Sequence, residues 1–324
     1  MKISENVLEI LGDTPLVRLD RFFPGRATLA VKLEYFNPGG SVKDRIGLSM
    51  IEAAEEAGDL VPGATIVEPT SGNTGLGLAM AATLKGYRLV CTVKDKVPLE
   101  KITLLKAYGA EVVICPAEVD PEDPSSYYKT AERIRDERGA FLPYQYYNQA
   151  NPEAHYRSTG PEIWQQTDGR ITHWVAGIGT GGTISGVARY LKEQNPDIRT
   201  IGVDPVGSVY RHFKECGELP PADQIRPYLI DGIGEDLLPE SVWMDAIDEV
   251  ITVDDRSAYQ AVFELSHGEA IFTGSSGGAA AVAARQIAEP LTEDALVVTL
   301  FPDSGERYLS KLNDDWLQQH DLLP

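Results

Sequence analysis

The chain has 324 residues, 43% of them hydrophobic, and a formal net charge of −20 at pH 7. That length exceeds the size at which one core usually keeps growing, and it predicts two lobes with room for a cleft. The acidic balance argues against nucleic acid or anionic membrane as a partner, because phosphate groups are bound mainly through an excess of Lys and Arg.

In chain order, short β-branched runs alternate with longer helical patterns. Strands are predicted at Leu29–Leu33, Ala64–Glu68, Arg88–Val93, Glu111–Ile114, His173–Gly177, Thr200–Asp204 and Ala295–Phe301. Helices are predicted at Asp44–Ala57, Asn73–Lys85, Pro98–Tyr108, Ser125–Arg138, Pro152–Gln166 and Gly181–Gln194. This alternation predicts an α/β fold with largely parallel strands. Ala117–Ser126 and Gly217–Pro227, rich in Pro and in acidic or small residues, read as surface connections.

The N-terminus lacks a basic region followed by an apolar run, and no apolar stretch approaches the ~18 residues that suggest a membrane span. The expected location is the cytoplasm. Cys91, Cys115 and Cys216 are far apart and outside any C-x-x-C pattern, so neither a disulfide framework nor a zinc site is indicated. The five histidines include no pair at helical ligand spacing, and no metal is expected.

Four segments carry the chemistry. The first, Asn37-Pro38-Gly39-Gly40-Ser41-Val42-Lys43-Asp44-Arg45, places Lys43 in a first helical turn, with Ser41 three residues before Asp44 as a capping-like start. There the positive end of the helix dipole, with Arg45 nearby, favours the neutral amine that attacks an aldehyde. Alone, such a lysine reads as a solvated side chain. The second, Pro69-Thr70-Ser71-Gly72-Asn73-Thr74-Gly75, runs from a strand end into an apolar helix. Its N–H groups and hydroxyls suit a carboxylate or phosphate, and the bland alternative is a well-capped helix.

The third segment is Gly177-Ile178-Gly179-Thr180-Gly181-Gly182-Thr183, again between a strand and a helix. Its glycines let the main chain approach an anion, and Thr180 and Thr183 add hydroxyls. It also satisfies G-x-G-x-x-G, with Asp197 twenty residues after Gly177, so a dinucleotide site of a nicotinamide dehydrogenase is the rival reading. Against that rival, Asp197 falls in a turn before the next strand, whereas the usual ribose-binding acid ends a strand. The fourth, Thr273-Gly274-Ser275-Ser276-Gly277-Gly278, leads into an Ala-rich stretch. A neutral hydroxyl there could meet a cofactor ring nitrogen, although most such segments are simply helix starts.

Taken in this order and at these separations, the segments resemble the fold-type II pyridoxal-phosphate family, which includes cysteine synthase, cystathionine β-synthase and the tryptophan synthase β subunit. The resemblance runs from Gly12-Asp13-Thr14-Pro15-Leu16-Val17-Arg18 to Asp314-Asp315-Trp316. Within the family the chain is most similar to the bacterial cystathionine β-synthases. Gly202-Val203-Asp204-Pro205-Val206-Gly207-Ser208-Val209-Tyr210, Arg226-Pro227-Tyr228-Leu229-Ile230-Asp231-Gly232-Ile233-Gly234-Glu235-Asp236 and Pro302-Asp303-Ser304-Gly305-Glu306-Arg307-Tyr308 carry that likeness.

The resemblance implies a two-lobed, three-layer αβα fold. Residues 1–40 and 150–324 would form the large cofactor-binding lobe, and residues 41–149 a small mobile lobe that closes on substrate. It implies pyridoxal 5'-phosphate as cofactor, linked covalently to Lys43, which then serves as the catalytic base. Gly179, Thr180, Gly181, Gly182 and Thr183 would hold the cofactor phosphate, Asn73 its phenolic oxygen, and Ser275 its ring nitrogen. Thr70, Ser71, Gly72, Thr74 and Gln145 would receive the substrate carboxylate. The implied reaction replaces the β substituent of serine or an activated serine with homocysteine to give cystathionine. A cysteine synthase using O-acetylserine and sulfide is the alternative. Small amino-acid and thiol substrates and a homodimer are implied, and haem is not expected because the chain starts almost at the catalytic core. Regulatory modules beyond Pro324 are not expected either. Animal and yeast enzymes carry tyrosine where Glu235 stands, so no role of that tyrosine transfers.

Overall fold

The computed structural model describes residues 3–70 and 72–323. The chain runs β1 (Leu16–Arg18), β2 (Thr28–Leu33), α1 (Lys43–Ala57), β3 (Thr65–Pro69), α2 (Asn73–Lys85), β4 (Arg88–Lys94), α3 (Leu99–Ala107), β5 (Glu111–Cys115) and α4 (Tyr127–Arg138). It continues with α5 (Ala150–Ala154), a π-helical turn (His155–Thr159), α6 (Gly160–Gln166), β6 (His173–Gly177), α7 (Gly182–Gln194), β7 (Arg199–Pro205) and α8 (Tyr210–Cys216). The last elements are β8 (Glu249–Val253), α9 (Asp255–Glu269), α10 (Ser275–Ala288), β9 (Leu296–Phe301) and α11 (Asp314–Gln319). Among the described residues, no helix is long and apolar enough to cross a membrane.

Two compact units result. The smaller comprises the residues up to Leu11 and Asn37–Asn151; the larger comprises Gly12–Phe36 and the residues from Pro152 onward. The division at Asn37 precedes the expected start at Ser41, and the segment up to Leu11 packs with the smaller unit rather than the larger.

The smaller unit holds a parallel sheet of order β3-β4-β5. Every residue of β3 is buried, as is the core of β4, and their β-branched residues suit a strand covered on both faces. Val67 and Val90 pack there with Ala131 and Ile134 of α4. Helices α1 and α2 cross at glycines. A Cβ on Gly47 would lie 2.4 Å from the carbonyl carbon of Gly77, and a Cβ on Gly77 would lie 2.5 Å from the carbonyl oxygen of Lys43. Only glycine permits backbones this close.

The larger unit holds a six-stranded sheet of order β1-β2-β9-β6-β7-β8, with β1 antiparallel to β2 and the other pairs parallel. Its core joins Val31, Val175, Ile201, Val203, Val297 and Phe301 to Leu265 of α9 and Ala279 and Ala283 of α10. Small residues bring α10 hard against α9, where a Cβ on Gly278 would meet the Ala258 carbonyl oxygen at 2.1 Å. The fold is therefore α/β with largely parallel sheets, as the alternation predicts.

One expected element differs. The single helix expected at Pro152–Gln166 starts at Ala150 and widens into a π turn at His155–Thr159. Gly186 of α7 sits under it, and a Cβ there would lie 2.1 Å from the Pro152 carbonyl oxygen.

Candidate active site

In the smaller unit, Lys43 is the first residue of α1, one residue earlier than the pattern predicts, and its side chain is half-buried. The capping-like start takes a different form from the expected one. Val42 is the N-cap and provides no side-chain bond, while Ser41 Oγ accepts the Lys43 N–H at 3.2 Å. Asp44, fully buried, reaches back so that its Oδ2 accepts the Gly39 N–H at 2.8 Å and the Ser41 N–H at 3.4 Å. Its carboxylate thus sits at a helix N-terminus, where negative charge is favoured, and folds the Gly39–Ser41 turn onto α1.

The second segment starts α2. Gly72 caps the helix at φ +131°, a conformation that favours glycine, and Asn73 is the first helical residue. Thr70 Oγ1 accepts the N–H groups of Gly72 (3.2 Å) and Gly75 (3.3 Å), so its oxygen serves the capping role as well. Thr74 Oγ1 donates to Gln145 Oε1 at 2.6 Å, joining two residues 71 apart in sequence. That bond fixes which way the Gln145 amide faces and turns its donor end, Nε2, away from Thr74. Thr70, Gly72, Thr74 and Gln145 are all buried, and Asn73 is half-buried. Ser71 lies outside the described residues.

One residue here escaped the sequence reading. Glu68, fully buried in β3, accepts the N–H of Tyr144 through Oε2 (2.7 Å) and that of Gln145 through Oε1 (3.0 Å). Burial pushes its carboxyl up to about 8, against the lowering effect of those two N–H groups. Tyr144, held at φ +54°, is itself driven up to about 12, first by burial.

In the larger unit, β6 ends at Gly177 and the chain enters α7 through the glycine turn. The carboxyl end of a strand in a parallel sheet is where such folds bind ligands. Gly181 caps α7 at φ +81° with no side-chain cap bond. A Cβ on Gly179 would lie 2.6 Å from the Gly232 carbonyl oxygen, and one on Gly181 would lie 2.1 Å from Val242 Cγ2. The Thr180 carbonyl accepts from Ser241 Oγ at 2.6 Å, and Thr183 Oγ1 lies 3.2 Å from His155 Nε2. A cradle that only glycines fit, opening a thirteen-residue helix whose N-cap offers no side chain, suits a phosphate monoester. Gly181→Ala should lower the melting midpoint by roughly 5 °C, because the left-handed φ and the clash both oppose a Cβ. Calorimetry showing an unchanged midpoint would reject this account of the turn.

Ser275 opens α10, buried, with its Oγ accepting the Asp231 N–H at 2.9 Å. Asp231 in turn pairs with Lys311 Nζ at 2.8 Å. The dinucleotide reading lacks its ribose-binding acid. Asp197 is exposed in the turn before β7, and Asp204, buried at the end of β7, accepts the Arg211 N–H with Oδ2 at 3.0 Å.

Comparison with known proteins places the chain. Residues 7–303 match the family model described as pyridoxal-phosphate dependent enzyme. The cystathionine beta-synthase of Oryctolagus cuniculus is 42% identical over 327 residues, covering 99% of this chain and 59% of that protein. The chain spans about three-fifths of the length of the curated relatives it matches. Among solved structures, an O-ureido-L-serine synthase superposes with a TM-score of 0.88 at 36% identity, covering 98% of this chain and all of that one. The O-acetylserine dependent cystathionine beta-synthase from Helicobacter pylori gives 0.86 at 37% identity, covering 96% and 99%. Because the family match runs through both units, the chain belongs to the pyridoxal-phosphate dependent enzymes.

Proposed function

We propose that this enzyme replaces the β substituent of serine or an O-activated serine with a thiol, and that the thiol is homocysteine, giving cystathionine. The observation that carries the reading is the α1–α2 crossing. It sets the first turn of α1, with Lys43, against Gly77, one helical turn after Asn73. An amine and a carboxylate-binding turn are thereby joined in one unit. The names of the relatives support the same reaction type, and the Helicobacter pylori enzyme supports an acetylated leaving group.

When bound, pyridoxal phosphate supplies an aldehyde for amines and a ring that draws electrons from the substrate Cα. The chain's residues do the rest. Lys43 would carry the cofactor link, then take the Cα proton and return one to the departing group or to Cα. The N–H groups of the Thr70–Thr74 turn, with the Gln145 amide, would grip the α-carboxylate and orient Cα. Asn73 would donate to the phenolic oxygen, and Gly179 to Thr183 would hold the phosphate. Ser275, whose Oγ already accepts from Asp231, would present its own proton to the ring nitrogen. A neutral hydroxyl leaves that nitrogen largely unprotonated, which favours β elimination over transamination.

The test is a comparison of turnover. Serine or O-acetylserine with homocysteine should yield cystathionine at least tenfold faster than O-acetylserine with sulfide yields cysteine. The reverse order would make the enzyme a cysteine synthase. A colourless protein that pyridoxal phosphate cannot reconstitute would end the whole reading. The resemblance also supports a cytoplasmic homodimer, and light scattering that gives a monomer would reject the dimer.

A further inference from the structure

We infer that Glu68 is a positioning residue for the substrate carboxylate, acting through Gln145. The inference rests on the reading above for the role of Gln145 and adds a residue to it.

Gln145 has no regular secondary structure to hold it. It follows Tyr144, a non-glycine residue at φ +54°, a backbone conformation that costs energy and persists only where its surroundings impose it. Three bonds impose the position of Gln145. Its carbonyl accepts from Asn151 Nδ2 at 2.9 Å, its side-chain Oε1 accepts from Thr74 at 2.6 Å, and its N–H donates to Glu68 at 3.0 Å. Glu68 grips both sides of the strained residue, because its other oxygen takes the Tyr144 N–H at 2.7 Å. The same Glu68 stands two residues before Thr70. One carboxyl therefore ties the end of β3, from which the carboxylate-binding turn springs, to the loop that presents Gln145.

The chemistry suits a fixed register. A carboxyl group has two oxygens that can each accept one of two successive backbone N–H groups, the hydroxyl oxygen included when the group is protonated, whereas a glutamine turns an N–H₂ donor toward one of them. Full burial makes the bonds strong and their loss costly. An acid in a dry strand interior is otherwise hard to justify, since an apolar residue would cost nothing to bury.

Glu68→Gln keeps shape and volume and turns an N–H₂ donor against one of the two N–H groups. In the variant reconstituted with pyridoxal phosphate, half-saturation by L-serine, read from the shift of the cofactor absorption band, should rise about tenfold, with kcat within about twofold. Amide exchange in the segment around Tyr144 and Gln145 should quicken by roughly fivefold or more in the cofactor-free protein, as lost bonds of this kind allow. In a Gln145→Ala background, adding Glu68→Gln should change half-saturation no further, because the effect travels through Gln145. Unchanged half-saturation in Glu68→Gln, or effects that multiply in the double variant, would overturn the inference and leave the proposed reaction standing. A wild type that makes no cystathionine but still shifts its band with serine would sink the proposed reaction, and the titrations would still decide the role of Glu68. A wild type whose band ignores both serine and O-acetylserine would overturn both.

Discussion

Lys43→Ala should lower the turnover of serine with homocysteine by about 10³-fold or more while leaving the fold intact. On the proposed mechanism two roles are lost together, the covalent hold on the cofactor and the proton transfer at Cα. The fold has little to lose. The Lys43 side chain is half-buried, and the Lys43 backbone that packs against Gly77 of α2 is kept by alanine. The Ser41 Oγ contact is to the Lys43 N–H, also kept. Alanine, moreover, is the best helix former and would stand at the first position of α1. Borohydride reduction should fix pyridoxal phosphate to the wild type and not to the variant, which separates loss of the link from loss of the proton carrier. Lys43→Arg should fail equally, since a guanidinium stays protonated and cannot take the Cα proton. Turnover within tenfold of the wild type in the alanine variant would remove the amine from the reaction.

Local chemistry was readable where a residue's role depends on its near neighbours. Runs such as Ala64–Glu68 and Arg88–Val93 declare strands because β-branched residues suit a pleated, covered surface, and both strands form. The glycine turns at Gly72 and Gly181 are legible for the same reason, since both need a positive φ. Two further elements carry a local signal of the same kind. The run of β8, Glu249–Val253, is rich in β-branched residues, and Asp254 caps α9 by accepting the Ser257 N–H at 2.9 Å. Strand β1 is three residues long, too short for any periodicity. What no local pattern could show is tertiary. Glu68 closes a strand as an exposed edge residue would, and its partners lie 76 and 77 residues away. Buried Lys32 is similar, held by Glu162 at 2.7 Å and Gln166 at 3.0 Å from a distant helix. The π turn at His155–Thr159 answers to Gly186 of α7, which no window around His155 contains.

Gly77→Ala tests whether helix packing sets the catalytic geometry. The added Cβ would stand 2.5 Å from the Lys43 carbonyl oxygen and 3.0 Å from the Asp44 Cα, both backbone atoms that no rotamer change can move. Normal contact requires the start of α1 to retreat by about 1 Å, a displacement able to cost about 10²-fold in rate when it moves a reacting group. Stability should suffer less. Overpacking costs about 1–3 kcal/mol, and the helix propensity of alanine over glycine returns up to about 1 kcal/mol of that. The variant should therefore fold, bind pyridoxal phosphate and turn over roughly a hundredfold more slowly. Gly268→Ala is the matched control, because Gly268 lies within α9 and a Cβ there meets nothing within 4 Å. It should gain roughly 0.5–1 kcal/mol and keep full activity. If Gly77→Ala stays within threefold of the wild-type kcat/KM while melting lower, the crossing serves stability alone, and the placement of Lys43 must come from the Gly39–Ser41 turn that Asp44 holds.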